Sequence, residues 1–208
     1  MKICFTLDDV IRAKTAQIGK MYKKYENPDI DLDALDLSNQ PISEALGFGS
    51  ISEYRKFLYE DYPFEIFAEA PVTERMVDKK LNLWHIELTH AEYPENVELM
   101  LANPREFNAS IGYSYFFLSQ IATRIREVFF PLDYVDIWER CDVLVTADPW
   151  LIDAKPEGKI VVKIETDYNK ENKADYTYES LAKFLDDKEI VGKFFEKNDN
   201  NRGEDLCL

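Results

Sequence analysis

The sequence has few cysteines and no hydrophobic run that approaches the length of a membrane span. Its three cysteines, Cys4, Cys141 and Cys207, are odd in number and widely spaced, and two of them lie in or beside apolar runs. This pattern indicates reduced, buried thiols and a cytoplasmic location. The first residues, MKICFTLDDV, contain too short an apolar stretch for a signal peptide. We therefore expect a soluble protein.

Basic residues are also scarce, with 25 Lys and Arg against 40 Asp and Glu and a formal net charge of -15. Such a surface repels nucleic-acid backbones and anionic lipid headgroups, so neither nucleic acid nor a membrane is an expected partner. Net charge does not determine the potential inside a cleft, however. A local basic pocket for a small phosphorylated ligand remains compatible with the composition.

The sequence contains five short apolar runs, and each is followed by polar or turn-forming residues. They are KICFTL at 2–7, NVELMLA at 96–102, REVFFP at 126–131, DVLVTA at 142–147 and KIVVKI at 159–164. Because these runs are continuous rather than alternating, they predict strands that are buried on both faces. Helical patterns lie between them, which predicts a doubly wound α/β fold with a five-stranded parallel sheet.

The domain organisation follows from the long interval after the first strand. Residues 1–12 and 95–186 are predicted to form the α/β core, and residues 13–94 a helical cap inserted after the first strand. We expect the SEYRKFLYEDY and LNLWHIEL segments to line the interior of this cap. Residues 187–208 are predicted to form the end of a helix and a flexible tail, because the segment after Phe195 is very polar.

Polar side chains gather at the predicted carboxyl ends of the strands, where ligands bind in such sheets. The stretch T6-L7-D8-D9-V10-I11 and the stretch A147-D148-P149-W150-L151-I152-D153 resemble two motifs of the haloacid dehalogenase-like phosphohydrolases, and of their 5'-nucleotidase-like branch in particular. Thr6 then stands where the family has its nucleophilic aspartate, and Ala147 replaces a glycine. The order of strands, insertion and acidic motif agrees with the resemblance.

The resemblance implies a role for each matching residue. Asp8 takes the acid/base position, Thr6 the substituted nucleophile position, and Asp8, Asp148 and Asp153 the Mg²⁺ site, where binding is expected to be weak or absent. Asp9 and Asn103 are candidate ligand-binding residues. The basic residue of the family's third motif has no clear equivalent, and Arg140 and Lys155 are the possible substitutes.

Two functions are compatible with these departures. The first is a catalytically impaired pseudo-phosphatase that binds a small phosphorylated ligand or a protein partner. The second is an active Mg²⁺-dependent phosphatase or nucleotidase that uses a non-standard nucleophile, such as Asp9 or activated water. Structural interpretations also remain open, since Asp8 and Asp9 could favour a helix start, and a Pro-containing turn explains Asp148 and Asp153.

Overall fold

The chain folds around a parallel β-sheet in the computed structural model, which describes residues 1–38, 40–93 and 96–204, with side chains as far as residue 198. The strands are β1 (Lys2–Thr6), β2 (Glu98–Ala102), β3 (Glu127–Phe129), β4 (Val143–Thr146), β5 (Ile160–Ile164) and β6 (Tyr176–Tyr178). Their spatial order is β3-β2-β1-β4-β5-β6, and every pairing is parallel. The predicted positions of the first five strands, with β1 between β2 and β4, are confirmed.

The sheet has six strands, so the prediction of five is wrong. The additional strand, β6, pairs with β5 through Val162 opposite Tyr176 and Ile164 opposite Tyr178. Tyr176 and Tyr178 pack against the core, whereas Thr177 is exposed. A three-residue edge strand of this kind lacks a continuous apolar run, because only one of its faces is covered, so its sequence does not mark it as a strand.

The described chain has ten helices and two irregular helical turns, of which the last two helices follow β6. The helices are α1 (Lys14–Tyr25), α2 (Ile42–Ala45), α3 (Ile51–Lys56), α4 (Pro63–Phe67), α5 (Val77–His90), α6 (Ala109–Gln120), α7 (Tyr134–Arg140), α8 (Pro149–Asp153), α9 (Leu181–Asp186) and α10 (Ile190–Glu204). A 3₁₀ turn covers Leu32–Ala34, and a π-helical turn over Phe57–Asp61 continues α3. Within the described residues, no helix combines the length and apolarity needed to cross a membrane.

Both faces of the sheet are covered by helices. Ile3 and Phe5 of β1 belong to one hydrophobic cluster, with residues of α5, α6, α9 and α10, which we call the sheet cluster. Cys4, between them in the sequence, belongs to a second cluster with residues of α7 and α8. Successive strand residues point to opposite faces, so a strand with two buried faces must be apolar at nearly every position.

A third hydrophobic cluster contains residues of α1 to α4 and the turns between them, and we call it the α1–α4 cluster. Its buried members are Ile18, Met21, Leu46, Phe57, Leu58, Ile66 and Phe67. The SEYRKFLYEDY segment contributes to it, but the LNLWHIEL segment does not. Leu81 and Trp84 of α5 pack instead in the sheet cluster, where the rings of Trp84 and Phe5 are 5.9 Å apart. Our assignment of α5 to the cap interior was therefore wrong, because its apolar stripe is buried against the sheet.

The C-terminal segment is helical further than the sequence suggested. Helix α10 runs to Glu204 although a flexible tail was predicted after Phe195, and residues 205–208 of that tail lie outside the described residues. Ile190, Val191 and Phe194 are buried against the sheet cluster, at a spacing that forms one helical stripe. The apolar first half of α10 therefore packs against the core, and its second half is polar.

Replacing Phe194 tests whether α10 is integral to the core. Phe194 is 0% exposed, and its ring lies 5.5 Å from Tyr176 and 6.4 Å from Phe184. Phe194→Ala should lower the free energy of unfolding in urea by about 3–5 kcal/mol. The matched control is Phe116→Ala, whose side chain is 45% exposed and whose loss should cost about 1 kcal/mol. Equal losses for both variants would contradict the packing described for α10.

Candidate functional site

A cavity of about 570 Å³ lies at the carboxyl ends of the strands. Strands β1 and β4 are adjacent at the point where the chain winds outward in opposite directions, and open α/β sheets bind ligands at this point. The predicted site residues that line the cavity are Thr6, Asp8, Asp9, Asn103 and Asp148. The α1–α4 cluster and its connections contribute Lys14, Ile18, Ile42, Tyr54 and Leu58 to the opposite wall.

Thr6 links the two central strands at the floor of this cavity. Its hydroxyl donates to Thr146 Oγ1 at 3.1 Å, and Thr146 Oγ1 also accepts from the backbone N–H of Asp148 at 3.1 Å. Thr6 is only 2% exposed. Since the hydroxyl proton goes to another hydroxyl and not to a base, Thr6 is not activated as a nucleophile in this arrangement.

Asp8 is held by cationic and amide donors on both of its carboxylate oxygens. Arg12 donates to Oδ1 from Nε at 2.9 Å and from Nη2 at 2.5 Å, while Lys14 Nζ at 2.6 Å and Asn103 Nδ2 at 2.9 Å donate to Oδ2. Burial alone would raise the pKa of Asp8, but Arg12 and Lys14 hold that pKa well below its usual range. Asp8 is therefore ionised at neutral pH and carries no proton to donate.

Arg12 is fully buried beneath the cavity and joins three parts of the chain. Besides Asp8, its guanidinium donates to Glu106 Oε1 at 2.6 Å, to the carbonyl oxygen of Phe67 at 3.0 Å and to Ser114 Oγ at 2.5 Å. Burial alone would lower the pKa of Arg12, but the two carboxylates raise it. The end of β1, helix α4 and helix α6 thus share one buried charge.

Asp9 follows Asp8 in a left-handed backbone conformation, with a φ of 57°. Its carboxylate accepts from the backbone N–H of Thr15 at 2.9 Å, from the Thr15 hydroxyl and from the Tyr168 hydroxyl at 2.7 Å. Burial raises the pKa of Asp9, and the nearby charge of Asp8 raises it further, against the lowering effect of these donors. Asp9 is oriented by the start of α1 and by the loop after β5.

Asp148 lies across the cavity at the start of α8, where its Oδ1 accepts from the N–H of Trp150 at 2.8 Å. Its Oδ2 accepts from the Tyr134 hydroxyl at 3.2 Å. Burial raises the pKa of Asp148, although these donors oppose the shift. The residue therefore has the capping role expected of a Pro-containing turn, and its carboxylate also lines the cavity.

Three other predicted residues lie outside the cavity. Asp153 is exposed at the end of α8, where its carboxylate accepts from Asn172 Nδ2 at 2.8 Å. Arg140 lies over the ring of Phe129 at 4.7 Å, and Lys155 is 3.5 Å from Asp175. Neither basic residue reaches the carboxylates of the site, so neither substitutes for the basic residue of the third motif. The basic residues that do contact a site carboxylate are Lys14 and Arg12, at the start of α1 and in the turn before it, and both pair with Asp8.

The residues present do not fit a magnesium ion. Within the described part of the chain, no group of three or more His, Cys, Asp or Glu side chains could hold a metal. Both oxygens of Asp8 already accept from protein donors, and Asp153 is not among the residues that line the cavity. A divalent ion needs several free carboxylate oxygens around one point, and these side chains do not offer them.

Donor groups, in contrast, remain available to a ligand. The Arg105 guanidinium lies 4.2 Å from the centre of the Tyr134 ring and makes no hydrogen bond within the described residues. Lys14 has two N–H groups beyond the one directed at Asp8, and the Tyr54 hydroxyl has no hydrogen-bond partner in the same part of the chain. The carboxylates Asp8, Asp9 and Asp148 are already satisfied. The site therefore presents donors to an incoming group.

Sequence reasoning missed most of these donors. The sequence analysis assigned no role at the site to Arg12, Lys14 or Arg105. A signal was present, because two basic residues four and six positions after Asp8 can turn back towards its carboxylate at a helix start. Tyr134 and Tyr168 come from distant segments, and nothing local marks them as site residues.

Comparisons with known proteins support the fold. No family model matches the chain, and no curated protein matches it. Among solved structures, a haloacid dehalogenase-like hydrolase from Burkholderia xenovorans LB400 is similar over 93% of this chain and 97% of its own, with 11% sequence identity and a TM-score of 0.50. The chain thus has a haloacid dehalogenase-like α/β fold. The word hydrolase describes that protein, and at this identity the likeness extends only to the fold.

Removing the buried charge of Arg12 should destabilise the protein strongly. Arg12→Met leaves Glu106 buried without its cation, and we expect a loss of about 3–5 kcal/mol in the free energy of unfolding, measured in urea, or a failure to fold. Arg12→Lys keeps the charge but not the fork of donors, so it should lose less. Arg55→Met removes an exposed arginine and should change stability by less than about 0.5 kcal/mol. A loss in Arg12→Met no larger than in this control would contradict the network.

Asp8 should also contribute to acid sensitivity. Because its pKa is lower in the folded than in the unfolded protein, its stabilising effect is complete above about pH 4 and is lost as pH falls towards the folded-state pKa. The difference in unfolding free energy between wild type and Asp8→Asn should therefore be largest above pH 4 and shrink below it. Asp29→Asn, at an exposed position, should show no such trend. A pH-independent difference for Asp8→Asn would be inconsistent with the lowered pKa.

Proposed function

We propose that this protein is a catalytically impaired member of the haloacid dehalogenase-like fold, a pseudo-phosphatase that binds a small phosphorylated ligand at the strand ends without hydrolysing it. The observation that carries the proposal is the state of Asp8, whose two carboxylate oxygens accept from Arg12, Lys14 and Asn103. An aspartate held in this way is a fixed anion and cannot exchange protons with a leaving group.

The position next to it supports the same conclusion. Thr6 donates its proton to Thr146, and within the described residues no base accepts that proton. Loss of the nucleophile from a covalent catalytic unit typically costs a factor of about 10⁴–10⁶ in rate. Thr6 and Asp8 together leave neither a nucleophile nor an acid at the positions where phosphoryl transfer would need them.

The cavity itself supports ligand binding. Its volume of about 570 Å³ is in the range of small-molecule sites. Arg105 and Lys14 both line the cavity, with the Arg105 guanidinium 4.2 Å from the centre of the Tyr134 ring. Aromatic side chains, Tyr59 and Trp150 among them, cover much of the wall. A ligand with an anionic group and an apolar or ring portion would match these surfaces, and inorganic phosphate is the simplest probe of the anionic part.

An active hydrolase is the alternative, and one observation favours it. Asp9 lines the cavity, and burial raises its pKa towards the range in which a carboxylate can act as a general acid or base. Its three hydrogen bonds hold it in place. In this second function Asp9, rather than Asp8, would carry the chemistry.

Titration with inorganic phosphate by calorimetry, together with a turnover assay, separates the two functions. Wild-type protein should bind phosphate, and Arg105→Gln should weaken the affinity by about tenfold, the effect of one lost charge-assisted hydrogen bond. Arg126→Gln removes an exposed arginine that does not line the cavity and should leave the affinity unchanged. Absence of phosphate binding by the wild type would overturn the proposed ligand class.

Turnover decides the catalytic part. With p-nitrophenyl phosphate and Mg²⁺, the wild type should show no hydrolysis above the rate of buffer alone. Magnesium-dependent hydrolysis that Asp9→Asn abolishes would establish the alternative function and disprove the pseudo-phosphatase. Asp29→Asn, the same change at an exposed position, serves as the control for contaminating activity.

A further inference from the structure

Three carboxylates and one ammonium group are among the residues that line the cavity. Asp8, Asp9 and Asp148 all line it, and Lys14 is the cation that directly contacts one of them there. Lys14 Nζ lies 2.6 Å from Asp8 Oδ2, and the Lys14 side chain is 17% exposed. The ammonium also lies 5.1 Å from the centre of the Phe67 ring, which fixes it between the α1–α4 cluster and the strand ends.

The geometry points to Lys14 as a built-in cation: we propose that its ammonium occupies the place where a divalent ion would otherwise bind Asp8, so that the site works without a metal. The inference deepens the proposed function in one respect, because it implies that phosphate binds without a divalent ion. The cation-binding part of the inference stands independently of any phosphate ligand.

The two oxygens of Asp8 have different partners, and this difference isolates the role of Lys14. Oδ1 faces the protein interior and accepts from Arg12, which is 0% exposed and does not line the cavity. Oδ2 accepts from Lys14 and Asn103. Arg12 and Asn103 therefore still donate to the carboxylate when Lys14 is replaced, and the change removes the charge that Lys14 places at the cavity.

The chain itself holds the Lys14 ammonium beside Asp8, with Nζ 2.6 Å from Oδ2. A lysine ammonium cannot dissociate from the site as a metal ion can. Without it, Asp8 Oδ2 would accept from Asn103 alone, and a carboxylate oxygen at the cavity is the kind of ligand that Mg²⁺ and Mn²⁺ prefer.

Removal of the ammonium should therefore raise the affinity of the Asp8 carboxylate for a divalent ion. We would titrate Mn²⁺ into the purified full chain and follow free Mn²⁺ by electron paramagnetic resonance, with calorimetry for Mg²⁺. Lys14→Met should bind Mn²⁺ at least about tenfold more tightly than the wild type, a gain of the size expected for one strong charge interaction. Lys20→Met makes the same change of net charge at an exposed position of the same helix, and its affinity should equal that of the wild type.

Two further variants make the result specific. Asp8→Asn in the Lys14→Met background should remove the gained affinity, because Asp8 would be the ligand that Lys14 had covered. Lys14→Arg keeps a cation and should gain nothing. A folded Lys14→Met protein, checked by circular dichroism, that binds Mn²⁺ no better than Lys20→Met would overturn the inference. So would a wild type that already binds Mn²⁺ tightly through Asp8.

The metal independence of ligand binding has its own measurement. The affinity of the wild type for inorganic phosphate should be the same in EDTA and in Mg²⁺, and a requirement for Mg²⁺ would overturn the inference while leaving the proposed ligand class intact. If phosphate does not bind under either condition, the proposed function fails, and the Mn²⁺ titrations alone then decide the role of Lys14.

Discussion

The buried guanidinium of Arg12 is the interaction on which the rest of the site depends. One cation pairs with two carboxylates, Asp8 and Glu106, in a region where an uncompensated charge would cost several kcal/mol. The same group donates to Ser114 on α6 and to a backbone oxygen at the end of α4. The end of β1, the α1–α4 cluster and α6 therefore cannot move independently without exposing or separating these charges.

This network explains how a strongly acidic protein can present donors at its cavity. The acceptors of Asp8, Asp9 and Asp148 are satisfied by neighbouring side chains and backbone groups, so their charge is compensated locally. Arg105 and Lys14 then retain donors that point to no other described residue. Net charge describes the surface as a whole, whereas the potential of a cavity depends on which groups remain unpaired within a few ångströms.

The same arrangement separates fold from chemistry. The sheet order places Thr6 and Asp148 on the adjacent strand ends where such folds bind ligands, whatever residues stand there. The hydrogen bond from Thr6 to Thr146 satisfies both hydroxyls and ties β1 to β4. A position that could carry a reactive carboxylate is thus occupied by a residue whose contacts are structural.

Sequence alone determined the five main strands, their parallel pairing and the gathering of Thr6, Asp8 and Asp148 at one edge, because buried strands impose an apolar run and parallel strands bring their ends together. Only tertiary structure decided the rest. The edge strand β6 has too few residues for a pattern, and α5 could have been buried against either of two apolar surfaces. The sequence did not determine the partners of Asp8 either. The directions of Arg12 and Lys14 depend on where α1 begins, and Arg12 also depends on Glu106, which lies 94 residues after it in the chain. Local spacing cannot specify such long-range pairs, since their energy arises only when burial removes water from both charges.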